Sequence, residues 1–92
     1  MEELDLAFTN NVNIHIRIKQ RNGKKVITLI ENLEKLQLDL EKIAQVLRKK
    51  FHCASVVKNN VIELQGDHRV GVKQFIIDEN IIDSKYIMIH GY

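Results

Sequence analysis

A two-layer α+β sandwich is the fold class this sequence predicts: a mixed β-sheet of about five strands with two helices packed on one face, in the order β-β-α-β-β-α-β. Three observations carry that reading. Residues 12–19 alternate strictly between apolar and polar side chains, the pattern of a half-buried strand. Leu40, Ile43, Ala44, Leu47 and Phe51 recur at the spacing of one helix face. Short β-branched runs are separated by Asn22-Gly23 and Asn59-Asn60, residues that turn hairpins. With 92 residues, 45% of them hydrophobic, the chain can build one core and no second.

Residues 1–11 are polar, lack periodicity and read as a flexible N-terminal tail, which leaves 12–92 as a single domain. In the first strand Val12, Ile14, Ile16 and Ile18 face one way and Asn13, His15, Arg17 and Lys19 the other. Val26 to Ile30 is the second strand, joined to the first by a basic hairpin tip. The helix spans roughly Leu38 to Lys50, with Lys42, Gln45 and Lys49 opposite its apolar stripe. Cys53 to Val57 and Val61 to Leu64 form the second hairpin. Asp67 is a good N-cap for a helix from about His68 to Asp78, which buries Val72, Phe75 and Ile76. Gly71 costs that helix ~1 kcal/mol against alanine, so another requirement must hold it there. A last strand runs from Lys85 to His90.

The net charge of +2 conceals a split. Val12 to Lys25 holds five bases and no acid, Lys42 to Lys58 holds five more and no acid, and the remainder balances at −8. Such segregation predicts a cationic face. The last helical turn, Arg48-Lys49-Lys50, also complements the helix dipole, an equally good structural reason for its charge.

Other classes find little support. No cationic start precedes an apolar run, so no secretory signal is visible. The apolar stretches fall far short of the ~20 residues needed to cross a bilayer, so no membrane is expected. One cysteine excludes an internal disulfide and fits a reducing, cytoplasmic setting. His52 and Cys53 are neighbours, and on a strand would face opposite sides, so they form neither a dyad nor a metal pair. No zinc-type spacing or Gly-rich phosphate loop occurs; no cofactor, metal or catalytic residue is expected. Aromatics are 5% and Phe51 and Phe75 lie on apolar stripes, so RNA would be held through phosphates rather than stacked bases.

Three blocks then carry a resemblance. They are Ile14-His15-Ile16-Arg17-Ile18 with Gln20-Arg21-Asn22-Gly23-Lys24-Lys25, then Leu47-Arg48-Lys49-Lys50-Phe51-His52-Cys53, then Val61-Ile62-Glu63-Leu64-Gln65-Gly66-Asp67-His68-Arg69. With the ending His90-Gly91-Tyr92 they cover residues 14–92, and the sequence resembles the eukaryotic translation initiation factor 1 family and its archaeal relatives.

The resemblance implies a non-catalytic, monomeric factor on the small ribosomal subunit near the P site, promoting scanning and accurate start-codon selection. By that likeness Arg21, Asn22, Gly23, Lys24 and Lys25 approach ribosomal RNA close to mRNA. Arg17, Lys19, Lys42, Arg48, Lys49 and Lys50 supply the subunit-binding face. Lys58, Asn59 and Asn60 face initiator tRNA, and Gly66 and Asp67 shape a structural junction. Other initiation factors are further partners it implies. The second hairpin is short in the archaeal manner and His68 is archaeal-like, whereas Arg21-Asn22-Gly23 follows the eukaryotic form. That mixture suggests a divergent lineage such as a viral or reduced genome. The alternative reading is a general RNA-binding or protein-docking module that keeps the fold without an initiation role.

Overall fold

The computed structural model describes residues 12–91, so the tail predicted for 1–11 and the terminal Tyr92 lie outside the described residues. Five strands form one mixed sheet in the order β3-β4-β2-β1-β5: β1 (Ile14–Arg21), β2 (Lys25–Glu31), β3 (Ser55–Lys58), β4 (Val61–Gln65) and β5 (Ile87–Ile89). All neighbouring pairs are antiparallel except β1 and β5, which run parallel. Two helices, α1 (Leu40–Phe51) and α2 (Arg69–Asp78), cover one face of the sheet, α1 over β3 and β4 and α2 over β1 and β5.

Alternation explains which face is covered. Ile14, Ile16 and Ile18 on β1 stand in register with Ile87, Ile30 and Thr28, and these with Ile62 and Leu64 on β4. This row meets Leu40, Ala44 and Leu47 of α1 and Val72, Phe75 and Ile76 of α2 in a single core. Burying each large aliphatic side chain there contributes ~1.5–3 kcal/mol. No helix covers the other sheet face among the described residues, and it carries His15, Arg17 and Lys19 by the same period of two.

Several boundaries differ from the sequence reading. Helix α1 starts two residues later, because the Asp39 carboxylate accepts the Lys42 N–H at 3.2 Å and caps it. Before it, residues Leu33–Leu36 make a 3₁₀ turn bracketed by Asn32 and Gln37, both left-handed. The helix closes on His52, at φ 51°, and the Cys53 N–H also reaches the Arg48 carbonyl. His52 and Cys53 therefore belong to the helix ending rather than to β3, which begins only at Ser55. Asp67 is not the N-cap of α2. His68 holds that position, while Asp67 accepts the Arg69 N–H at 3.3 Å and binds its guanidinium at 2.8 and 3.0 Å. The last strand shortens to three residues because Asp83 caps a 3₁₀ turn over Ser84–Tyr86.

Two buried details fix the layers against each other. Thr28, fully buried, donates its hydroxyl to the Gly66 carbonyl at 2.6 Å and accepts the His68 N–H at 2.9 Å. This staples β2 to the β4–α2 junction, where Gly66 sits at φ 96°, a conformation that favours glycine. Gly71 has a different reason. A Cβ there would lie 2.6 Å from the Phe51 ring, which stacks on His68 with centroids 5.0 Å apart. Close approach of α1's end to α2 is what requires glycine in mid-helix.

Candidate nucleic-acid interface

Topology brings the basic segments to one end of the molecule. The β1–β2 hairpin turns through Asn22 and Gly23, at φ 45° and 71°, with the Gln20 amide donating to the Gly23 carbonyl. Arg21, Asn22, Gly23, Lys24 and Lys25 are all exposed there. Because Ile27 pairs with Gln65 and Ser55 with Leu64, the start of β3 lies at that same end of the sheet. The last turn of α1 leads directly into it, so Arg48, Lys49 and Lys50, all exposed, stand at the hairpin end too. The six cations of the two segments thus share an end, though they come from different layers.

The fold does not gather the remaining candidates into one flat face. Lys42 and Lys49 lie on the side of α1 turned from the core, whereas Arg17 and Lys19 project from the open sheet on the opposite side of the molecule. Arg17 is further withdrawn by its 2.9 Å ion pair with Glu31. The second hairpin tip, Asn59-Asn60 at φ 51° and 65°, sits at the far end of the sheet, since Lys58 pairs with Val61 beyond Ile62 and Ile30.

Sequence reasoning missed two features. His15 Nδ1 and His90 Nε2 are 2.8 Å apart with stacked rings, so one imidazole donates to the other and ties the C-terminal residues to β1. The His90 N–H also donates to the Ile16 carbonyl at 2.9 Å. The residues lie 75 apart in sequence, so no local signal could join them. The second feature is the course of Arg21, which lies at the base of the tip beside Ile27 and Glu63 rather than at its apex.

Electrostatics separate binding groups from reactive ones. Burial pushes the Cys53 thiol up from its ordinary value, the opposite of what a nucleophile needs. The hydrogen-bonded Arg69 guanidinium holds the Asp67 carboxyl below its usual range. No group of three or more His, Cys, Asp or Glu side chains is arranged for a metal among the described residues. No helix there is long and apolar enough to cross a membrane.

A mixed five-stranded sheet backed by two helices, with exposed cations converging at one end, defines a small two-layer α+β module. Comparison with known proteins makes the assignment specific. Residues 10–82 match the family described as translation initiation factor SUI1, and the chain belongs to that family. It is 44% identical to the protein translation factor SUI1 of Eremothecium gossypii, across 96% of this chain and 84% of that one. It is 42% identical to the Saccharomyces cerevisiae eukaryotic translation initiation factor eIF-1, with the same coverage. A SUI1 homolog from Acanthamoeba polyphaga mimivirus is 40% identical over 86% of this chain and 79% of its own. Among solved structures, the C-terminal domain of human eIF2D superposes with a TM-score of 0.73 at 23% identity. That likeness covers 82% of this chain and 41% of the human one, and shows the shared fold. Members of the family are translation initiation factors, not enzymes, and this chain has a role in translation initiation.

Proposed function

We propose that this protein binds the small ribosomal subunit near the P site, as a monomer in the cytosol, and promotes scanning and accurate start-codon selection. The observation that carries the reading is the convergence of Arg21, Lys24 and Lys25 with Arg48, Lys49 and Lys50 at one end of the sheet. A narrow exposed hairpin flanked by helix cations can enter a crevice in ribosomal RNA and meet phosphates on more than one side. Lys42 extends the contact along α1. In this reading Asn22 and Gly23 bring the tip close to mRNA, and Lys58, Asn59 and Asn60, at the other end of the sheet, face initiator tRNA. Gly66 and Asp67 serve the strand-to-helix junction and touch no RNA.

Charge reversal at the tip tests the reading. Lys24→Glu with Lys25→Glu is expected to weaken co-sedimentation with small subunits by at least about tenfold, because phosphate contacts dominate such affinities. Circular dichroism should stay unchanged, since both residues are exposed. Wild-type affinity in the folded double variant would reject the hairpin as the binding element. Start-codon choice in a reconstituted initiation assay lacking the native factor then reads the function itself: added protein should lower initiation at non-AUG codons.

A further inference from the structure

The open face of the sheet holds a second cationic feature, built by strand register rather than by neighbouring sequence. Lys19 pairs with Ile27, and Arg21 follows two residues on, so both leave the sheet away from the helices. Lys58 pairs with Val61, and Glu63 lies two residues beyond Val61, which puts Lys58 and Glu63 on that same side. These four side chains and Ile27 line a concavity of about 210 Å³. Ile27 is 5% exposed and forms an apolar floor. Lys19, Arg21 and Lys58 are exposed, and none forms an ion pair among the described residues, where the pairs within 4 Å are Arg17–Glu31 and Arg69–Asp67.

Three unpaired cations against one carboxylate, with no aromatic ring in the lining, suit a ligand whose charge is spread over several oxygens and whose rings are not gripped. We propose that this concavity binds the phosphate backbone of an RNA strand. The strand lies opposite the contact proposed for α1, since Lys42 and Lys49 point out of the other layer and one flat RNA surface cannot meet both. The protein bridges two RNA segments, with the hairpin end between them. This rests on the proposed ribosomal reading only in naming RNA as the polyanion.

A fluorescein-labelled 12-nucleotide oligouridylate, followed by anisotropy with the full chain at low salt, is the probe. Lys19→Glu with Lys58→Glu should weaken its binding about tenfold, and Glu63→Gln, which removes the one negative charge, should tighten it about twofold. A matched reversal at two exposed lysines outside both the concavity and the hairpin end, Lys35→Glu with Lys85→Glu, alters net charge equally and should change oligouridylate affinity less than about threefold. An equal loss in both reversals, or no tightening in Glu63→Gln, overturns the concavity as a site, provided circular dichroism shows all variants folded. Small-subunit co-sedimentation of the wild-type chain is read separately. Its failure beside intact, concavity-dependent oligouridylate binding would remove the ribosomal reading and leave this one standing; the converse result would do the reverse.

Discussion

A methyl group added at Gly71 would sit 2.6 Å from the Phe51 ring, a distance that real side chains do not tolerate. Two effects then oppose each other in Gly71→Ala. Helix propensity gains ~1 kcal/mol, but relieving the collision displaces a ring stacked on His68, and overpacking of this kind costs ~1–3 kcal/mol. Net destabilisation is expected in urea unfolding, and Phe51→Leu in the same chain should recover part of it; a stabilised Gly71→Ala would show that the ring yields freely. Asp67 gives the pH prediction. Its carboxyl is held below the ordinary value by Arg69, so the folded state binds its proton less readily than the unfolded state. The stabilisation is complete above the unfolded value, near 3.8, and is lost as pH falls through the lower folded one. With the Asp67 side chain 44% exposed the pair is worth only ~0.2–1 kcal/mol. Asp67→Asn should therefore be slightly less stable than wild type at neutral pH, the gap closing below about pH 4; a gap that persists in acid would assign the difference to something other than charge.

Among the elements, the two hairpins are built alike and placed oppositely. Asn59 and Asn60 are the only residues between Lys58 and Val61, and their left-handed conformation makes the tightest kind of hairpin turn. In the proposed reading, a tip that short offers initiator tRNA no acidic obstruction. Grafting a longer acidic loop at Asn59-Asn60 should reduce initiation at non-AUG codons in the reconstituted assay, and unchanged selection would rule out a tRNA-facing role for this turn. Element type was legible in sequence wherever periodicity was strong. The isoleucines of β1 and the Leu40, Ala44 and Leu47 stripe of α1 are buried as their spacing requires. Element ends were less legible. Asp39 and Asp83 each caught a nearby backbone N–H and moved a boundary, and the 3₁₀ turn over Leu33–Leu36 depends on left-handed Asn32 and Gln37, for which no hydrophobic period exists. Arg69 likewise engaged Asp67 and left the N-cap position to His68.

For the whole molecule, the decisive quantity is how charge is distributed in space. If about five of the cations at the hairpin end and along α1 neutralise phosphates, log K for subunit binding should fall with log salt at a slope of roughly −4 to −5. A slope near zero, measured between ~50 and 200 mM monovalent salt, would show that phosphate contacts do not hold the complex. Local sequence by itself determined the strands, the helices, the buried stripes and the turn residues, because each depends on spacings of two to four residues. The motif blocks carried the family. Only the tertiary structure decided where the charges went. Strand register turned Lys19 and Lys58, 39 positions apart, onto one side of the sheet, and layer packing sent Lys42 and Lys49 to the other. Long-range pairing set those directions, and a period read along the chain says which residues share a face of one element but not which faces of different elements meet.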